Sequence, residues 1–376
     1  MRILLVSDFR EIVGGAEILL YDEKKMLEKK GHVVETYFSD EKKRHRIFGS
    51  IFSLKNFVGT YKKINRFRPD VIHIHKYNLS LSASPLIAGK LKRKKTVVTF
   101  HDFGMLCANG WCVDSKGMPC ENPAGIKWVF RKSLSKKKQV NRIYDYIKNK
   151  IHLSVMGLFL DLAIGPSEIM SLYLKQIFPK KDVRTVPLFI SMPKKKERKR
   201  REKMILFVGR LEEEKGIRCA IEVLECLPKE MSMVIIGSGS EEALVRSMIK
   251  SRGMQKRVTF IPHLPHEKLA GFYKKASALV MPSLWLEQFG LTGIEALSHG
   301  TPVLAPERGG VIDWLEDGIN GFFIEPRDPK AIARKIGKLL ENEEQFLKMS
   351  ECASESARRF TEENHYAKLL GAYKAD

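Results

Sequence analysis

Glu287 and Glu295 stand with seven residues between them in LWLEQFGLTGIEALSHGTPV (284–303), and Gly290 and Gly293 lie in the gap. A carboxylate can accept hydrogen bonds from two vicinal hydroxyls, so each member of the pair suits a sugar. A glycine turn opening a helix between them presents bare backbone N–H groups, which favour an anion. The set fits a ligand with a sugar at each end of a diphosphate. Arg210 and Lys215 flank the acidic run Glu212–Glu214 in VGRLEEEKG (208–216) and could neutralise that diphosphate, Arg as a planar fork and Lys as a point charge. Three further features are weaker alone. Gly14 and Gly15 of VGGAE (13–17) would let a backbone approach a ligand closely, but G-x-G-x-x-G is absent. IIGSGS (235–240), with Gly237, is the matching turn in the second half. His101 and Asp102 end the run TFHDF (99–103). Each piece in isolation is equally a surface pair or an ordinary tight turn.

The elements around these residues decide where they point. RILLVSDF (2–9) is a short apolar run that predicts a buried parallel strand. A helical pattern over EILLYDEKKMLEKKG follows, stopped by Gly31, and then a strand HVVETYF. DVIHIH (70–75), TVVTFH (96–101) and DLAIGPS (161–167) continue the strand series. The second half repeats this grammar with MILFVGR (204–210), SMVIIGSG (232–239), RVTFIPH (257–263), SALVMPS (277–283), TPVLAP (301–306) and NGFFIEP (320–326), with helices between most of them. The expected fold class is α/β, with two doubly wound parallel sheets. Glu287 then sits in the loop at a strand's carboxyl end and Glu295 in the second turn of the next helix. In open parallel sheets that end of the strands binds ligands.

At 376 residues and 44% hydrophobic content the chain can bury more than one core. Its net charge of +22 is uneven. Residues 1–193 carry 35 Lys/Arg against 17 Asp/Glu, residues 194–203 (KKKERKRREK) carry 8 against 2, and residues 204–376 carry 23 against 25. An anionic partner is therefore expected at the first half, and 194–203 is expected to be a solvated linker. MRILLVSDFR lacks a signal peptide's apolar core, and LSVMGLFLDLAIG is too short to span a bilayer and is broken by Asp161. A cytoplasmic protein is expected, peripheral at most to the inner face of a membrane.

Taken in order, GGAE, HD after the fourth strand, VGR with a following KG, GSG, MPS followed by Glu287, Phe289-Gly290 and Glu295, and GTPVLA with a later GG closely resemble the retaining glycosyltransferases of family 4, which have the GT-B fold. The resemblance covers nearly the whole chain and is strongest over 204–326. It implies two Rossmann-like domains facing across a cleft: an acceptor-binding domain over 1–193, the linker 194–203, a donor-binding domain over 204–359, and a C-terminal helix over 360–376 that packs back on the first domain. It implies a nucleotide-diphosphate sugar as donor. Glu295 would hold the ribose and Glu287 the transferred sugar, with amides near Phe289, Gly290 and Leu291 on sugar and phosphate. Arg210, Lys215 and the glycine turns at Gly14, Gly15 and Gly237 would face the diphosphate, and His101 would lie beside the donor sugar. The residues expected to act in transfer are His101, Glu287, Arg210 and Lys215. No cofactor and no metal are implied, because cations and helix amides stabilise the departing phosphate.

Two segments of the first half stand apart. Cys107, Cys112 and Cys120 follow His101, and with it could bind zinc, but C-x4-C-x7-C is not a common ribbon or finger, so an ordinary acceptor-side loop is expected. Residues 127–150 hold nine Lys/Arg and one acid, interleaved with Trp128, Val129, Phe130, Ile143, Tyr144 and Ile147. Such a segment can lie on an anionic membrane, which points to a glycan or lipid-linked acceptor in polysaccharide or glycolipid assembly. The rival readings are a basic nucleic-acid-binding or membrane-surface protein and a GT-B nucleotide-sugar epimerase. No nucleic-acid motif accompanies the charge, so no nucleic-acid partner is expected.

Overall fold

The structure, a computed structural model, describes residues 1–11, 15–39, 52–76, 81–133, 138–193, 201–262 and 264–375. The chain forms two compact units, Met1–Leu188 together with Glu362–Asp376, and Phe189–Thr361.

The first unit is built on β1 (Arg2–Ser7), β2 (Val33–Phe38), β3 (Val71–Lys76), β4 (Lys95–Thr99), β5 (Leu162–Gly165) and β6 (Asp182–Thr185), all parallel, in the order β2-β1-β3-β4-β5-β6. Ile3, Leu4, Leu5 and Val6 are fully buried, as an unbroken apolar run requires when helices cover both faces. The edge strand β6, DVRT, has no apolar run and was not expected from its sequence. On β3 the alternation of VIHIH puts His73 and His75 inside. Beside His75 lies Glu23, buried on helix Gly15–Lys29: its Oε2 lies 3.3 Å from His75 Nε2, and its Oε1 lies 3.2 Å from His365 Nε2. His365 and Tyr373 belong to helix Glu362–Lys374. Tyr373 Oη is 2.7 Å from His73 Nδ1, and His365 Nδ1 donates to the Pro187 carbonyl at 2.7 Å. A buried polar network thus ties the C-terminal helix to this sheet.

The second unit is built on β7 (Met204–Val208), β8 (Ser232–Ile236), β9 (Val258–Ile261), β10 (Ala278–Val280), β11 (Val303–Ala305) and β12 (Gly321–Phe323), again all parallel, in the order β12-β11-β10-β7-β8-β9. Ile205, Phe207, Ile235 and Ile336 anchor its core. The strand order reverses between β7 and β10, so the loops leaving these two strands diverge and open a crevice at their carboxyl ends.

Most of the basic run, 194–200, lies outside the described residues. Its end departs from the expected solvated linker. Arg201 is half-buried; its Nη2 donates to the carbonyls of His299 and Gly300, each at 2.8 Å, and its Nη1 to that of Tyr273 at 2.9 Å. These carbonyls end helices His266–Lys275 and Leu291–Ser298, where a cation also meets the negative end of each helix dipole. Burial pushes the Arg201 pKa down to about 10. Arg201→Met should therefore destabilise the second unit by about 2 kcal/mol, since buried carbonyls lose a charged donor. Urea unfolding checks this, and a change below about 0.5 kcal/mol would refute the clamp.

Candidate active site

The crevice of the second unit is assembled by backbone contact. Gly216 has left-handed φ (71°), and a Cβ there would lie 1.8 Å from the Pro282 carbonyl oxygen. Only glycine lets the loop after β7 pass the loop after β10 so closely. The Leu284 N–H completes the contact by donating to the Glu214 carbonyl at 2.8 Å.

This approach delivers Lys215 to Glu287. Lys215 Nζ donates to Glu287 Oε1 at 2.8 Å and lies 3.2 Å from Oε2, and it sits 4.5 Å from the Trp285 ring centroid. Ser283 Oγ also donates to Glu287 Oε1, at 2.6 Å. Burial alone would raise the Glu287 pKa; the Lys215 charge, with hydrogen bonds from Lys215 and Ser283, outweighs it and holds the carboxyl below its ordinary range. Arg308 Nη2 donates to the Ser283 carbonyl at 2.8 Å. The Gly310 N–H donates to the Glu287 carbonyl at 2.8 Å, and a Cβ on Gly310 would lie 2.1 Å from the Gln288 carbonyl.

Glu295 is held differently. Its Oε1 is 2.6 Å from His266 Nε2, and its Oε2 accepts from Tyr273 Oη at 2.8 Å. Burial and the nearby Glu295 charge push the Tyr273 pKa up, so its hydroxyl stays a donor. Helix Leu291–Ser298, which carries Glu295, starts at Gly290 (φ 86°) with no side-chain cap. The Trp314 indole N–H donates to the Phe289 carbonyl at 2.5 Å and fixes the entry to that helix.

Residues 190–360 match the model for glycosyl transferases group 1, and residues 13–192 match the model for glycosyltransferase family 4. The chain belongs to the family 4 glycosyltransferases. It is 33% identical over 183 residues to the D-inositol 3-phosphate glycosyltransferase of Corynebacterium urealyticum, a stretch that is 46% of this chain and 43% of that protein. The match thus spans less than half the length of this relative. Among solved structures it is similar to sucrose-phosphate synthase from Thermosynechococcus elongatus (TM-score 0.72, 18% identity, 99% and 98% of the two chains). It is also similar to Anabaena HepE in complex with UDP-glucose (TM-score 0.68, 18% identity, 99% and 98%). Both likenesses are of fold, and the expected GT-B class of two doubly wound sheets holds.

Within this family fold, Lys215 and Glu287 pair directly, while Glu295 lies on the helix that Gly290 and Leu291 open, bonded to His266 and Tyr273. Arg210 is in the same loop as Lys215, but its exposed guanidinium pairs with Glu214 at 3.0 Å. Phe289 has its ring buried against Phe360. Gly237 has a packing reason of its own, since a Cβ there would lie 1.9 Å from the Gly209 carbonyl. Gly14 lies outside the described residues. Gly15 opens its helix, and a Cβ there would meet no atom within 4 Å among the described residues. In the first unit, His101 Nε2 is 3.2 Å from His75 Nδ1, and the rings stack with centroids 5.4 Å apart. Glu23 and His75, which hold His101 from behind, were missed in the sequence, as were Arg308, Ser283, Tyr273 and His266. Only the alternation of HIH could have signalled His75, because the other contacts are between distant segments.

Lys215→Met should cost about 3 kcal/mol at pH 7, because it leaves a buried carboxylate uncompensated. In the wild type the folded-state pKa of Glu287 is depressed, so its stabilisation is present above the unfolded carboxylate pKa and is lost as pH falls through the depressed value. In the variant the charge and hydrogen bonds of Lys215 are gone and the remaining hydrogen bonds stand alone against burial, so the depression is smaller. The stability gap between the two proteins should therefore shrink as pH falls from 7 to below 4. Urea titrations at both pH values check this, and a gap independent of pH would contradict it.

Proposed function

We propose that the protein is a glycosyltransferase that moves a sugar from a nucleotide-diphosphate sugar to an acceptor hydroxyl. The observation that carries this reading is the Lys215–Glu287 pair, which joins the loops after β7 and β10 at the point where the strand order reverses. Family membership and relatives named as glycosyltransferases support it, as does the UDP-glucose bound to the HepE neighbour. On this reading Glu295 takes the ribose diol and Glu287 the transferred sugar. Lys215, Arg210 and the uncapped amides after Gly290 stabilise charge on the departing diphosphate. The reaction is proposed to retain anomeric configuration and to need no metal: the acceptor hydroxyl attacks on the face that the diphosphate leaves, and a phosphate oxygen takes its proton. Gly15, which has no packing demand among the described residues, fits a place where a ligand passes close to the backbone. His101 is proposed to face the donor sugar, oriented through His75 and Glu23.

The nucleotide reading is tested by thermal shift against UDP, GDP and ADP and their sugars. A bound nucleotide at a hundredfold excess over Kd adds about 2.7 kcal/mol of stability. At least one should raise Tm, and no response to any of them would sink the reading. Glu295→Ala should weaken nucleotide binding about tenfold or more, whereas Glu287→Ala should mainly reduce transfer. Equal losses in both would contradict the division of roles.

The acceptor is proposed to be a glycan or lipid-linked molecule met at an anionic membrane surface. No helix among the described residues is long and apolar enough to cross a membrane. Helix Gln139–Phe159, however, leaves Val140, Ile143, Tyr144 and Ile147 exposed at the spacing of a single face, and Phe130 is 65% exposed just before it. Arg131, Lys138 and Lys150 are exposed nearby. Apolar groups among cations suit anionic headgroups. The protein should pellet with vesicles containing phosphatidylserine at low salt and not with neutral vesicles. Val140→Glu with Ile147→Glu should abolish pelleting. Wild-type protein that stays in the supernatant would refute the membrane face.

A further inference from the structure

The loop that leaves β4 gathers three cysteines. Cys107, Cys112 and Cys120 are fully buried, and their sulfurs all lie within 4.8 Å of one another. The sulfurs of Cys107 and Cys120 are 3.8 Å apart. A disulfide needs about 2.05 Å. A tetrahedral cation about 2.3 Å from each sulfur places them about 3.8 Å apart. The spacing C-x4-C-x7-C did not announce this convergence, because it depends on two local folds. Asn109 Oδ1 accepts from the N–H groups of Trp111 (2.9 Å) and Cys112 (2.8 Å), closing a knuckle after Cys107. A bridge between Val113 and Pro119, with the Cys120 N–H donating to the Cys112 carbonyl at 3.0 Å, brings the third sulfur back.

The knuckle is built to serve sulfur. Asn109 spans it: its Oδ1 holds the Cys112 N–H at 2.8 Å, and its Nδ2 lies 3.9 Å from the Cys120 sulfur. Donors converging on sulfur stabilise a thiolate and orient it, as outer-shell groups do around a metal. Cys112 takes a left-handed backbone (φ 58°), a conformation that a non-glycine residue adopts only when its surroundings impose it. Cysteines that merely fill a core need no such arrangement.

We propose that Cys107, Cys112 and Cys120 form a structural site for a thiophilic divalent cation. Ligand softness and tetrahedral spacing select Zn(II). Three thiols lose their protons to solvent as three metal–sulfur bonds form. The fourth corner takes an oxygen, either water or the phenol of the nearby Tyr173. His101 is outside the set: the ligand atoms that cluster are the three sulfurs alone. The second histidine and carboxylate cluster, Glu23 with His73 and His75, is a hydrogen-bond network instead: His73 uses both nitrogens, on Tyr373 Oη and Thr99 Oγ1. The cation takes no part in transfer. It staples the loop that begins at His101.

The test uses the full chain purified without chelator. Elemental analysis should give about one zinc per chain. Cobalt(II) in its place should give sulfur-to-cobalt charge-transfer absorption with intense tetrahedral bands. Cys112→Ser and Cys120→Ser should lose the bands, and Cys226→Ser, with an exposed thiol in the other unit, should keep them. If the site variants prove insoluble, thiol-blocking mercurial added to wild-type protein should release the zinc to a chromogenic chelator. Less than about 0.1 zinc per chain, with all six thiols titrating in denaturant, would overturn the proposal. Loss of two thiols to a disulfide between Cys107 and Cys120 would overturn it too. Metal content is read without nucleotide or acceptor, so its outcome is independent of the transferase reading.

Discussion

The contact between Gly216 and the Pro282 carbonyl is the constraint on which the second unit's crevice depends. Lys215 is adjacent to Gly216 and Ser283 is adjacent to Pro282, so a shift at this crossing moves both donors to Glu287 together. The crossing cannot loosen without cost, because Glu287 is buried and its charge is compensated only while Lys215 stays within hydrogen-bond reach. Arg308 on the Ser283 carbonyl and Gly310 against the backbone of Gln288 hold the far side of the same loop. The arrangement is rigid for an electrostatic reason as well as a steric one. A cation preplaced against a buried carboxylate does not have to reorganise when a second anion arrives.

The first unit has a matching dependence, on Glu23. Burial would push its carboxyl up, but the surrounding histidines, His75 and His365 foremost, hold it well below the ordinary range. One charge thus connects helix Gly15–Lys29 to β3, and β3 to the C-terminal helix, through contacts to His75 and His365. Burial holds the His73 pKa well below normal, so this imidazole is neutral and bridges Tyr373 and Thr99 by hydrogen bonds instead of carrying charge. His101 stacks on the outer end of this network, so its orientation is set by residues two layers away.

What could be read in the sequence follows the range of the interactions. β1 and β7 were legible because a parallel strand buried on both faces writes a continuous apolar run. β6 was not, because an edge strand of DVRT needs only one neighbour to supply its hydrogen bonds. The places of Glu287, Glu295 and Lys215, in the loop after β10, on the next helix and in the loop after β7, were legible because each stands at a fixed offset from a strand end. Their supports were not: Tyr273 is twenty-two residues from Glu295 and Glu23 is fifty-two from His75, and nothing local marks either pair. Arg201 shows the opposite error. Its neighbours in sequence are basic, so it passed for linker charge, while its partners are helix ends about one hundred residues on.

The different supports of the two glutamates bear on what each can still hold. An ionised carboxylate offers about four lone-pair sites. On Glu287, Lys215 takes one site on each oxygen, Ser283 takes a second on Oε1, and the Trp285 indole also bears on the carboxylate, so the protein's own donors come close to filling it. On Glu295, His266 and Tyr273 take one site on each oxygen, and two remain, one on either oxygen. Two free sites on neighbouring oxygens suit a vicinal diol. A ribose at Glu295 would therefore use the remaining acceptors there without displacing any donor that the protein has placed. Exchanging the two ligands would leave a ribose hydroxyl short of an acceptor at Glu287. The proposed assignment is the one in which each carboxylate is filled, which is what buried acceptors favour.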